Sequence, residues 1–187
     1  MLPKENSDII LEQKEIVVPK HIVKAFGRGL SQSIGPRLQQ IESCLRDTTD
    51  NLKYPMIEDS VKRITNVLHS LEEAKEVKIS IIDPDGLDGY LNDFLFSEET
   101  EELDPKPGEL LMENDIAPKF INALQHTIIN PLFIISGRTG GNQSEEAKKI
   151  YSASMQIKDI LSSFTNAQEI KIVTDVEGNT KIIPLHA

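Results

Sequence analysis

Tryptophan is absent from the 187 residues, and three tyrosines and six phenylalanines are the whole aromatic complement. So few rings suit a bundle of aliphatic helices better than a base-stacking surface. Cysteine occurs once, as Cys44, so there is no internal disulfide and no cysteine cluster for zinc. Positive charge is also short: 20 Lys and Arg stand against 30 Asp and Glu, a formal net charge of −10. Duplex nucleic acid and anionic membrane surfaces both select basic patches, so neither is an expected partner. No apolar run approaches the roughly 20 residues of a membrane span. Met1 to Glu5 lacks the charged-then-apolar pattern of a signal peptide. These absences lead us to expect a cytoplasmic protein.

Chemistry-bearing clusters are scarce as well. His21, His69 and His186 share no metal-ligand spacing with one another or with carboxylates, so no metal site is expected. Asp83-Pro84-Asp85-Gly86-Leu87-Asp88-Gly89 has the composition of a calcium loop, but Phe94 stands where a bidentate Glu belongs, and a turn is the better reading. Gly137-Arg138-Thr139-Gly140-Gly141 lacks the Gly-Lys-Ser/Thr of a phosphate-binding loop.

What is present is helical periodicity. Residues 1–17 read as an N-terminal arm or a short strand, with one apolar patch at Ile9-Ile10-Leu11. Val18-Pro19-Lys20 has the form of a helix start, and Ile22, Phe26, Leu30, Ile34, Leu38, Ile41 and Leu45 follow at steps of three and four. A second helix carries Ile57, Val61, Ile64, Leu68 and Leu71, and Val77 to Ile81 alternates as a strand. Residues 97–114 form an acidic, proline-containing linker. The pattern then restarts. Ala117-Pro118-Lys119 echoes Val18-Pro19-Lys20, and Phe120, Leu124, Ile128, Leu132 and Ile135 mark a third helix. Ser144 is a candidate N-cap for a fourth helix with Ala147, Ile150, Ser154, Ile157, Leu161 and Phe164. Glu169 to Val173 echoes Glu76 to Ser80, and Gly178-Asn179 predicts a hairpin into Lys181-Ile182-Ile183.

This order describes an internal duplication: residues 18–96 are a first hairpin with a short strand, and residues 115–187 a second hairpin with a C-terminal β-hairpin. Pairing Pro36 with Pro131 sets the register and puts Ser31 at the position of His126. The expected fold is mainly α, a pseudo-dimeric four-helix bundle from two tandem helical hairpins, with short strands after each hairpin.

Within the third helix stands His126-Thr127-Ile128-Ile129-Asn130-Pro131-Leu132. His126 and Asn130 share a face at i and i+4, just before a proline that removes the backbone donor for the Thr127 carbonyl. These residues resemble the phosphoacceptor box of bacterial sensor histidine kinases, His, an acidic residue, two variable positions, Thr or Asn, Pro, Leu, carried on the first helix of the dimerisation-and-histidine-phosphotransfer domain. More loosely, the likeness extends over residues 118–168. It implies that His126 is the phosphoacceptor, with Asn130 beside it. Thr127 stands where the family carries Glu or Asp, the first repeat has no acceptor histidine, and nothing resembles the ATP-binding domain.

The function implied is a stand-alone histidine phosphotransfer protein without autokinase activity. His126 would take a phosphoryl group from a response-regulator receiver domain and pass it on. The receiver would supply magnesium, so no cofactor of the protein's own is expected. Ile129, Phe133 and Gly137 would form the docking surface, and a histidine kinase is a second candidate partner. The chain would be a monomer with pseudo-two-fold symmetry or a homodimer. One alternative is a non-catalytic module that docks on a response regulator or kinase and inhibits or sequesters it, and another is a structural helical protein whose kink histidine has no chemical role.

Overall fold

The computed structural model describes residues 14–47, 55–81, 89–96, 106–142 and 144–186. The order of elements is β1 (Lys14–Pro19), α1 (Lys20–Asp47), α2 (Pro55–Glu73), β2 (Ala74–Ile81), β3 (Gly89–Phe96), β4 (Gly108–Met112), α3 (Ala117–Thr139), α4 (Glu145–Ser162), β5 (Glu169–Thr174) and β6 (Thr180–Leu185). The fold is mainly helical, with two antiparallel three-stranded sheets of order β1-β2-β3 and β4-β5-β6. A strand, a helical hairpin and two further strands thus occur twice in the same order.

The helices form because their apolar residues recur at the helical period and find partners. Phe26, Leu30, Ile34, Leu38 and Ile41 of α1 are buried, as are Ile57, Ile64, Leu68 and Leu71 of α2. In α3 the buried set is Phe120, Leu124, Ile128, Leu132 and Ile135, and in α4 it is Ile150, Ile157 and Leu161. α1 packs against α2 and α4, and α3 packs against the same two helices. Phe26 meets Phe120 edge-on, with centroids 5.1 Å apart and planes at 88°, joining the two repeats at their cores. The sheets interlock them further. β6 of the second repeat packs along α1, and β3 of the first packs along α3.

Several expectations are corrected. β1 occupies the end of the stretch read as an arm or short strand, and Pro19 closes that strand instead of opening α1. β4 lies inside the stretch read as a linker, and β3 fills residues 89–96 as a further strand of the first repeat. Strands therefore precede as well as follow each hairpin. Their pairings are long-range: Lys14 opposes Ile81, and Gly108 opposes Thr174. The patch at Ile9-Ile10-Leu11 and the Asp83–Asp88 turn lie outside the described residues.

The register of the duplication also changes. Burial aligns Phe26 with Phe120, Leu30 with Leu124, Ile34 with Ile128 and Ile41 with Ile135, a constant step of 94 residues. In the second helices Ile57 matches Ile150, Ile64 matches Ile157 and Leu71 matches Phe164, a step of 93. The prolines are one residue out of step, since Pro36 falls opposite Asn130, and the Pro19–Pro118 echo has no structural counterpart. One residue is a rotation of about 100° on a helix. Pro36 accordingly faces solvent, while Pro131 faces the core. The buried face, and not the proline, sets the register, and Gln32 replaces Ser31 as the counterpart of His126.

Candidate functional site

The site is built on α3. The chain enters it through a turn in which the amides of Ile116 and Ala117 both donate to the carbonyl of Glu113, at 3.0 and 2.8 Å. Pro118 occupies the first turn, where its missing N–H costs nothing. With Phe120, Leu124, Ile128, Pro131 and Ile135 turned into the core, the helical period leaves His126, Asn130, Phe133 and Gly137 exposed and Ile129 half-buried. All the candidate residues read from the sequence thus lie on the outward side of one helix. Phe133 is 57% exposed, unusual for a phenylalanine.

Thr127 is half-buried, and its hydroxyl donates to the Ala123 carbonyl at 2.9 Å. The hydroxyl proton is thereby engaged on its own helix. Gln125, next to His126 on the other side, fastens α3 to the end of α4. Its Nε2 donates to the Leu161 carbonyl at 2.8 Å and to Thr165 Oγ1 at 3.0 Å.

Gln125 divides the groove between α3 and α4. On one side a cleft of about 240 Å³ is bounded by Lys119, Asn122, Gln125, Phe164, Thr165 and Asn166. On the other, a shallow hollow is bounded by Ile129, Leu132, Phe133, Ser154, Met155 and Lys158. The Lys158 ammonium sits 5.3 Å from the centroid of the Phe133 ring, a cation–π contact that pins the ring at the rim. At the far end of α3, Arg138 donates to Met56 Sδ at 3.0 Å, tying the helix to the start of α2. An exposed imidazole, a carboxamide one turn on, and an apolar patch with a fixed cation share this face.

The matching face of the first repeat is different. Gly35, Gln39 and Thr65 stand where the second repeat has Ile129, Phe133 and Lys158. Gln32 bonds to the β5–β6 turn instead of facing outward alone: Nε2 donates to the Gly178 carbonyl at 3.2 Å, and Oε1 accepts from the Thr180 amide at 2.7 Å. That turn is itself tied by Asp175, which accepts from the Asn179 side chain and from the amides of Asn179 and Glu177, each at 2.9 Å. The Asn179 side chain and backbone, in that order, hold the Asp175 carboxyl below its ordinary range.

Sequence reasoning missed Lys158, Met155 and Gln32. Met155 and Lys158 do lie three residues apart on α4, flanking its core positions, a signal open to reading. Gln32 carried no signal until burial fixed the register. Among the described residues, no group of three or more His, Cys, Asp or Glu is placed to hold a metal ion. No described helix is long and apolar enough to cross a membrane. No protein-family model, no curated protein and no solved structure matches the chain.

Proposed function

We propose that this protein is a histidine phosphotransfer protein that accepts a phosphoryl group on His126 from the aspartyl phosphate of a receiver domain. The observation that carries the reading is the exposure of His126 beside Asn130 on the outward face of α3, next to the Ile129–Phe133–Lys158 patch. The acceptor-box resemblance supports it. So does the packing of α1 and α3 between α2 and α4, which fits a pseudo-dimeric four-helix bundle made by one chain.

In the transfer a lone pair on an imidazole nitrogen forms the N–P bond. The P–O bond of the acyl phosphate breaks, and the aspartate leaves as a carboxylate. The receiver brings magnesium and its own acidic pocket, so no metal ligand of this chain enters the step. Asn130 hydrogen-bonds the phosphoryl oxygens or a water beside them. The apolar patch docks the receiver, and Lys158 pairs with an acidic group on it.

Attack on ATP asks more. Help from a positioned general base is worth roughly 10²–10⁴-fold, and Thr127 supplies none, because an alcohol oxygen is far less basic than the carboxylate it replaces. The protein incubated alone with ATP and magnesium is therefore expected to take up no label, and Thr127→Glu is not needed for transfer from a phosphorylated receiver. Label from ATP alone would overturn the division between phosphotransfer and kinase. A second reading is favoured by the Phe133–Lys158 contact, which needs no histidine chemistry: the face docks a response regulator or kinase and sequesters it. Equal receiver binding by the wild type and His126→Ala, with no transfer to either, supports that reading.

A further inference from the structure

The β5–β6 hairpin belongs to the second repeat but lies on the first helix of the first repeat. It crosses α1 where the helix has been pared to glycine: a Cβ on Gly29 would meet Ile182 Cγ1 at 2.8 Å and Thr180 Cγ2 at 3.2 Å. One turn further on, Gln32 spends both ends of its carboxamide on the hairpin backbone, on the Gly178 carbonyl and the Thr180 amide. Gly178 has φ 81° and a Cβ there would lie 3.5 Å from Arg28 Nη2, so the turn bends where an L side chain is disfavoured and Arg28 borders it. Gln32 is also the residue that the step of 94 places opposite His126. The neighbouring positions lack what a docking face needs, with Gly35, Gln39 and Thr65 in place of Ile129, Phe133 and Lys158.

We infer that Gln32 is a clasp that commits the first repeat's acceptor position to holding the chain's own β5–β6 hairpin, leaving the α3–α4 face as the one surface that takes a partner. The inference rests on the proposed function for its second half only; the clasp itself is testable without a partner. A two-fold scaffold offers two equivalent faces. Here the position opposite His126 carries a carboxamide whose amino group donates to the Gly178 carbonyl and whose oxygen accepts from the Thr180 amide, so both of its polar ends are committed to the hairpin backbone. The duplication thereby separates two jobs that an identical pair of hairpins must share. One face holds the β5–β6 hairpin, and the other is left for chemistry.

Amide hydrogen exchange followed by NMR tests the clasp. The Thr180 amide, bonded to Gln32 Oε1 at 2.7 Å, is expected to exchange slowly in the wild type. Gln32→Ala is expected to speed its exchange roughly tenfold, the loss expected for one net hydrogen bond. The core amides of α3 and α4, such as those of Leu124 and Ile157, are expected to keep their wild-type exchange in Gln32→Ala, which separates a lost bond from a misfolded chain. His126→Ala is expected to leave the hairpin unchanged. Equal Thr180 exchange in the wild type and Gln32→Ala overturns the clasp. Native mass spectrometry with a receiver domain phosphorylated by phosphoramidate tests the single face. One receiver per chain is expected, and none with Phe133→Asp. Two per chain overturns the inference while leaving phosphotransfer intact. If no receiver binds the wild type, both the single-face claim and the proposed function fail, and the exchange results still decide the clasp.

Discussion

Folding alone does not explain the exposure of Phe133. Its ring is largely exposed, held at the rim of the α3–α4 groove by Lys158. Central aromatic anchors lose about 2 kcal/mol or more on truncation at interfaces, roughly a thirtyfold loss of affinity. Phe133→Asp should weaken receiver binding by at least that factor in a titration, while its thermal unfolding stays close to wild type, as for most surface changes. An unchanged affinity would remove this face from docking. Asp175 offers a prediction of a different kind. Its carboxyl is depressed mainly by the Asn179 side chain, so the folded state prefers it ionised. Its contribution to stability is present above its ordinary range and is lost as pH falls through the lower folded value. Asp175→Ala should be less stable than wild type in urea at neutral pH, and the gap should close on acidification below the usual carboxylate range. A gap that widens in acid would contradict the hydrogen-bond assignment.

At the scale of elements, the close approach of α1 and α2 depends on Gly27. A Cβ there would meet Leu71 Cβ at 2.8 Å and the Leu71 carbonyl carbon at 3.0 Å. Alanine gains helix propensity of about 1 kcal/mol over glycine, but overpacking of this kind costs about 1–3 kcal/mol. Gly27→Ala should be net destabilising. Gly137→Ala, on open helix surface with nothing within 4 Å of its Cβ, should stabilise by about 0.5–1 kcal/mol. Urea unfolding of the two variants checks the pair, and shifts of the same sign would contradict the packing described. The helices were legible from the sequence because each buries a stripe of side chains at the helical period, as Phe120, Leu124, Ile128 and Ile135 do. Ser144 was legible as a cap, and it accepts from the Ala147 amide at 3.2 Å. β1 and β4 were not legible as paired strands. They are short, sit among charged residues, and pair far along the chain, from Pro19–Glu76 to Lys14–Ile81 and from Met112–Ile170 to Gly108–Thr174, which no local pattern encodes. Of the site, the outward set from His126 to Gly137 followed from periodicity. Lys158 did not, because it reaches the patch from another helix.

For the whole molecule, the repeats hold each other. Phe26 packs on Phe120, α2 on α3, α1 on α4, and each sheet reaches the other repeat's first helix. Neither repeat buries its apolar face alone. A fragment of residues 106–187 should therefore lack cooperative unfolding, and calorimetry on the fragment checks this; a sharp transition would mean that the second repeat folds without the first. The central claim, that His126 carries the phosphoryl group, is tested most directly by mixing the full chain with a phosphorylated receiver and mapping acid-labile phosphate by mass spectrometry. The account expects phosphate on His126 in the wild type and none on the chain with His126→Ala. Labelling that survives His126→Ala, or no labelling by any receiver of the host, would contradict it.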